Sequence, residues 1–268
     1  MIRNILLTIT LIWTGIGTAS AQNYYPADIG NTWVLESEDG AERATYTLEA
    51  PDEDVSNENF RTLKIITEAL GTTSMETNTF LVEIGEDGMK LHKLAAELGP
   101  IFGTVNMEFS PPAIFFPAVL QLGEMWETLG EADVYLVGNV TVSSVNEVVA
   151  IEDVATPAGT FENCLKIKIN TKTTAALGSS RSTSYQWLAP DIGPVKFETS
   201  QDIVFELTSF TLVTPEVPYD VNGDGVINIL DLTLVASHFG GTNPEADVNG
   251  DGIVNILDLV LVAQNFGG

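Results

Sequence analysis

Cysteine is nearly absent from this chain. A single residue, Cys164, in 268 rules out an internal disulfide, so order must come from a packed core or from bound ions. Positive charge is scarce too: 11 Lys and Arg stand against 37 Asp and Glu, a formal net charge of −26. A surface so acidic repels nucleic acid and anionic membranes and suits salty, cation-rich surroundings that screen it. The two histidines, His92 and His238, lie far apart in sequence. No G-x-S-x-G elbow accompanies them, so no Ser-His-Asp hydrolase is legible. Apolar runs long enough to span a membrane are missing after the first twenty residues.

What stands at the start is an export pattern. Arg3 supplies the positive end, residues 5–16 an apolar core, and Ala19-Ser20-Ala21 a small-residue cleavage site. The expectation is a signal peptide at 1–21 and a mature protein beginning at Gln22, exported to the extracellular space, the cell surface or the periplasm. No cysteine follows the apolar core, which argues against a lipid anchor there.

Residues 22–213 read as one exported β domain. Period-two patterning predicts strands over 32–37, 43–48, 60–67, 79–84, 89–94, 133–137, 140–145, 148–151, 164–171, 182–188, 195–199 and 203–212. Glu38-Asp39-Gly40, Glu86-Asp87-Gly88, Pro157-Ala158-Gly159 and Pro190-Asp191-Ile192-Gly193 supply turns. Residues 90–98 leave a short helix open. The apolar stretch 111–120 carries Pro111, Pro112 and Pro117, which argues against an inner strand and for a plug over one end of a curved sheet. Ile29-Gly30-Asn31-Thr32-Trp33 is echoed by Leu122-Gly123-Glu124-Met125-Trp126.

No catalytic constellation emerges in this domain. Glu124, Glu127 and Glu131 around Trp126 would line a sugar site if the indole were exposed, but a core tryptophan with solvated glutamates is the plainer reading. His92 beside Lys90 and Lys93 reads as a surface histidine on a strand. Cys164, in an alternating strand, reads as a small buried apolar residue rather than a reactive thiol.

After a short linker at 214–218, residues 219–268 carry the sharpest signal. Asp220-Val-Asn-Gly-Asp-Gly-Val-Ile-Asn-Ile-Leu-Asp231 returns 27 residues later as Asp247-Val-Asn-Gly-Asp-Gly-Ile-Val-Asn-Ile-Leu-Asp258. Oxygen side chains at loop positions 1, 3, 5, 9 and 12, with glycine at 6, form a calcium loop. Calcium is a hard cation that takes oxygen ligands. The first set is Asp220, Asn222, Asp224, the Val226 carbonyl, Asn228 and Asp231. The second is Asp247, Asn249, Asp251, the Ile253 carbonyl, Asn255 and Asp258. Two ions are expected. Both copies end in Asp where this pattern usually has Glu, a shorter arm to the ion. A helix follows each loop, with Leu232, Leu234, Val235 and Phe239 in the first and Leu259, Leu261, Val262 and Phe266 in the second as its apolar face. The entering helix of a full EF-hand is missing, because proline-bearing segments precede both loops.

The duplicated D-x-N-x-D-G-x-x-N-x-x-D loops, each followed by an apolar helix and Phe-Gly, resemble a type I dockerin. That resemblance implies an all-α module docking onto a cohesin-type partner, in the context of polysaccharide degradation or a cell-surface assembly. It assigns the calcium ligands named above. It places partner contacts at Ile229, Leu230, Ala236 and Ser237, and at Ile256, Leu257, Ala263 and Gln264. The front domain, through Tyr25-Pro26 to Trp33, Gly123 to Trp126, Ala158 to Cys164 and Trp187 to Lys196, is similar to a loose group of exported bacterial β domains. Some of these are related to half-barrels that carry lipoproteins between membranes. This implies an antiparallel half-barrel or curved sheet, and no functional site. Two classes of function remain. In one, a non-catalytic module binds a small apolar ligand or fills a structural role. In the other, an unrecognised glycoside hydrolase or carbohydrate-binding domain acts on polysaccharide.

Overall fold

The structure, a computed structural model, describes residues 23–267 apart from 53–54, 56, 98, 100–102, 177 and 214–218. The expected export signal and linker therefore lie outside the described residues. The chain divides into two compact units, the first ending at Val213 and the second starting at Thr214.

Twelve antiparallel strands build the first unit: β1 (Thr32–Ser37), β2 (Glu42–Glu49), β3 (Phe60–Ala69), β4 (Met75–Gly85), β5 (Gly88–Glu97), β6 (Thr104–Pro117), β7 (Met125–Val134), β8 (Gly138–Thr156), β9 (Gly159–Ala175), β10 (Gly178–Ala189), β11 (Gly193–Glu198) and β12 (Val204–Thr211). Each pairs with its sequence neighbours, and β1 pairs with β12 from Thr32↔Thr211 to Ser37↔Phe205. The sheet is thus a closed barrel, not the half-barrel or curved sheet that the sequence suggested. Closure follows from the two end strands. Trp33 and Leu35 on β1, and Phe205 and Leu207 on β12, are all buried, and pairing the two strands covers the edges they would otherwise expose. Large side chains fill the interior, among them Trp33, Tyr25, Tyr46, Phe115 and Phe116.

Two predicted features are corrected here. Residues 90–97 form no helix, because β5 runs through them to Glu97, and residue 98 lies outside the described residues. The proline-rich stretch is a strand, β6, whose register explains its prolines. Leu91 stands opposite Ala113 and Lys93 opposite Glu108, so residues 109–112 bulge out across from His92. Pro111 and Pro112 lie in that bulge and interrupt no ladder there. On its other edge β6 shares a single register pair with β7, Glu108↔Glu131. Trp126 Nε1 donating to the Phe115 carbonyl at 3.0 Å and Thr128 Oγ1 donating to the Ile114 carbonyl at 3.1 Å supplement that seam.

The echo around the two tryptophans is a device used twice. Gly30 N donates to Leu48 O and Leu48 N to Asn31 O; Gly123 N donates to Val148 O and Val148 N to Glu124 O. Each glycine has positive φ, 100° and 87°, which lets the chain turn into a strand whose second residue is a buried tryptophan.

The second unit has two helices, α1 (Ile229–Ser237) and α2 (Ile256–Gln264). Asn228 and Asn255 cap them, and Asp231 and Asp258 complete a capping box at each. Its buried apolar residues are Ile227, Val235, Ala246, Val254 and Val262, with Leu232 and Leu259 packed alongside. Phe239 and Phe266, expected on the packed face, are 57% and 44% exposed instead. Each follows its helix in a turn, where the backbone has left the helical path.

Candidate functional site

The two loops share one fold. Asp220 Oδ2 accepts from Gly225 N at 2.7 Å, and Asp247 Oδ2 from Gly252 N at 2.7 Å. Position 1 thereby ties to position 6, and glycine there adopts φ of 86° and 93°, a region costly to a side chain. Asp220 Oδ1 accepts from Asp224 N, and Asp247 Oδ1 from Asp251 N, both at 3.2 Å. The loop carboxylates are thus turned onto the loop's own amides.

Positions 3, 5, 7 and 9 are drawn together by asparagine amides. Asn222 Nδ2 donates to Asp224 Oδ2 at 2.8 Å and Asn228 Nδ2 to the Val226 carbonyl at 2.9 Å. In the second copy Asn249 Nδ2 reaches Asp251 Oδ2 at 3.1 Å, and Asn255 Nδ2 reaches both Asp251 Oδ2 and the Ile253 carbonyl. Amide hydrogens, weakly positive, sit on the oxygens that the calcium pattern assigns to the ion. Among the described residues, no three His, Cys, Asp or Glu side chains converge as a ready-made metal cluster. Asparagine and carbonyl oxygens are integral to the donor set, and an all-oxygen set of this kind fits a hard cation such as calcium.

Asp231 and Asp258 differ from the other loop acids by being fully buried. Asp231 Oδ1 accepts from Asn222 N at 3.0 Å and Oδ2 from Asn228 N at 2.8 Å. Asp258 makes the matching pair with Asn249 N and Asn255 N. Burial opposes ionisation of Asp231, but the amides of Asn228, Asn222 and Val221 outweigh it and hold the carboxyl below the ordinary carboxylate range. The short aspartate arm thus ties the loop's third residue to the start of its helix. The Ile253 amide, with the Asn249 side chain, likewise lowers Asp251.

Position 8 was missed by sequence reasoning. Ile227 and Val254 are buried, and their backbones join the repeats reciprocally. Gly240 N donates to Val254 O, Val254 N to Gly241 O, and Gly267 N to Ile227 O. The loops therefore dock on the glycine turn ending the opposite repeat's helix. The signal was a β-branched apolar residue at position 8 of both copies.

The eight residues assigned to partner contact are all exposed. Ile229, Leu230, Ile256 and Leu257 are 56–63% exposed despite their size. Ile229, Ala236 and Ala263 line one shallow groove between the helices, with Leu232 and Leu259 below.

Residues 218–267 match the dockerin type I domain. Such domains bind calcium, and calcium is accordingly the ion that the dockerin loops fit. Residues 103–211 match a DUF3108-like model. No curated protein matches the chain. Solved structures similar to the barrel include a lipoprotein from Parabacteroides distasonis, with 14% identity and a TM-score of 0.46, matched over 72% of this chain and 100% of that one. Another is an exported protein with YmcC-like fold from Bacteroides fragilis, with 15% identity and a TM-score of 0.42, over 72% and 100%. A third is the lipoprotein YmcC from Escherichia coli, with 12% identity and a TM-score of 0.35, over 71% and 87%.

Trp126 is buried, its ring 5.4 Å from that of Phe116 at a 45° tilt, and it donates its indole N–H to the Phe115 carbonyl, while Glu127 and Glu131 point outward. His92 is half-buried, with Nε2 2.8 Å from Glu83 Oε2 and its ring 4.8 Å from Phe60. Cys164 is buried, and burial pushes its thiol up to about 11. Among the described residues, no helix is long and apolar enough to cross a membrane.

Proposed function

We propose that this chain is a secreted calcium-binding protein whose dockerin tail docks it to a cohesin-type partner at a cell surface or in an extracellular assembly. The barrel is its cargo, with a binding or structural role, and a polysaccharide-degrading assembly is the setting. Asp220, Asn222, Asp224, Val226, Asn228 and Asp231 hold one calcium ion, and Asp247, Asn249, Asp251, Ile253, Asn255 and Asp258 a second. Bound calcium supplies the positive charge that lets the loop acids converge. This chain's part is to fix them: Gly225 and Gly252 turn each loop, while Asp231 and Asp258 bind its ends to the helix start. The export pattern at 1–21 supports secretion.

The observation that carries the reading is the exposed pair Ile229-Leu230 and its repeat Ile256-Leu257, set immediately after each calcium loop. Calorimetry of the full chain with type I cohesin domains tests it. Binding in millimolar calcium, abolished by chelator and by combined Ile229→Asp and Ile256→Asp, is the expected result. Binding to a cohesin that persists in both cases, or a failure to bind any of a broad cohesin panel, would refute it.

A further inference from the structure

At one end of the barrel the interior opens into a cavity of about 250 Å³ bordered by β2, β3, β4, β11 and β12. Its mouth and its floor have opposite chemistry. Glu42 begins β2, and Glu76 stands near the start of β4, opposite Thr67 on β3. Two residues further along β4 comes Asn78, and two further Phe80, which is buried. On β2 the same inward step from Glu42 leads to buried Tyr46. Phe197 and Phe205, paired across β11 and β12, complete the floor. Carboxylates thus give way to an amide and a hydroxyl, and then to four aromatic rings.

Among the described residues the two carboxylates have no counter-ion. Among the described residues no Lys, Arg or His lines the cavity, and neither Glu42 nor Glu76 joins an ion pair. Burial, then the charges of Glu42 and Glu97, push Glu76 above the ordinary carboxylate range. Two like charges at the rim of a low-dielectric pocket repel, and a cation placed there removes that repulsion. Aromatic rings below it accept an apolar body and tolerate a nearby cation on their faces.

We propose that this mouth binds a small amphipathic amine, with its ammonium at Glu42 and Glu76 and its apolar part against Tyr46, Phe80, Phe197 and Phe205. The volume falls just below the roughly 300–1,000 Å³ of drug-sized pockets, so one ring or a short alkyl chain is the scale of ligand. Anions are repelled at the rim. Neutral apolar molecules reach the floor but leave the acid pair uncompensated. Sugars would need several polar partners where the floor offers rings.

The test is calorimetry of the full chain in saturating calcium, which keeps the tail loops filled, with benzylammonium and its neutral analogue benzyl alcohol as probes. Benzylammonium should bind about tenfold more tightly, the scale of one favourable charge contact, and lose that advantage in high salt. Glu76→Gln should abolish the preference, leave the alcohol unaffected and raise the barrel's melting temperature. Ligand-to-protein NMR cross-peaks should join the probe's ring to Phe197 and Phe205 in the unaltered chain. Equal affinity for the two probes, an amine preference surviving Glu76→Gln, absent cross-peaks, or no saturable binding at millimolar concentration would each overturn the proposal.

Discussion

Every strand of the barrel contributes buried apolar residues to one continuous interior, from Trp33 on β1 to Leu207 on β12. The tail buries five, Ile227, Val235, Ala246, Val254 and Val262, and surrounds them with loop acids that hydrogen-bond to their own backbone. Both lack a disulfide. The barrel is ordered by apolar burial and a ladder closed on itself, so its stability is spread over many contacts. The tail is too small for that route, and its acids repel one another until a cation neutralises them. Stability that resides in a core is insensitive to ions; stability that resides in a loop depends on them.

Removing calcium should therefore break the comparison most visibly. In the full chain with excess chelator, α1 and α2 are expected to lose their helical signal while the barrel's β signal and melting transition stay unchanged, because ion binding to the loops is folding energy for the tail. Circular dichroism with differential scanning calorimetry decides it. A tail equally helical in chelator and in millimolar calcium would show that its small core suffices.

The converse change strikes the core. Trp33 is fully buried, packs 4.7 Å from Tyr25 ring to ring, and donates Nε1 to the Ile192 carbonyl at 2.6 Å. Trp33→Ala should destabilise the barrel by about 3–5 kcal/mol through the cavity it leaves. The tail's calcium affinity, followed by titration, should not move. A change in both would mean that the two units share their stability.

Within the tail, Asp231→Ala and Asp258→Ala should each remove one calcium site and lower helicity. Each also strands two backbone amides, at a cost of about 1–3 kcal/mol apiece where they are buried. Val226→Ala should leave affinity unchanged, since position 7 offers only its carbonyl and its side chain is 52% exposed. Calcium titration of the three variants separates these roles. Equal losses in all three would point to general loosening of the loops rather than loss of ligands.

Sequence made the loop-then-helix plan of the tail legible and the barrel only in outline, for a physical reason. Oxygen ligands must recur at fixed spacings, so a calcium loop writes itself into the order of residues. A barrel demands only that alternate positions fit inside, and they need not be apolar. On β7 the inward residues are Trp126, Thr128, Gly130, Ala132 and Val134, while Met125 and Leu129 face outward. The strand was missed over most of its length because its apolar alternation runs against the usual sense. The inward position 130 is glycine because a Cβ there would come within 2.2 Å of Met107 Sδ and 2.6 Å of Phe109. On β8, buried Asn146 falls in the gap between two predicted pieces of one strand of 19 residues. Closure between β1 and β12 is a contact between the ends of the domain, and no local pattern encodes it.

The smallest expected effect concerns Cys164, silent at neutral pH. Its Sγ lies 3.3 Å from the Phe161 carbonyl in a buried position, and burial raises the thiol from an ordinary 9.0 to about 11. The folded barrel thus holds the neutral thiol over a range in which the unfolded chain ionises. A raised thiol pKa contributes nothing below the unfolded value and costs stability as pH rises from 9 toward 11, on the order of 2 kcal/mol once complete. Below pH 9 the native protein should resist iodoacetamide and react only on unfolding, since the thiolate is the nucleophile. Between pH 9 and 11 its barrel should lose stability more steeply than a Cys164→Ala variant, whose own loss comes from the remaining groups. Parallel pH–stability curves for the two proteins, or rapid alkylation of the folded chain at pH 8, would show that Cys164 is not shielded as its surroundings require.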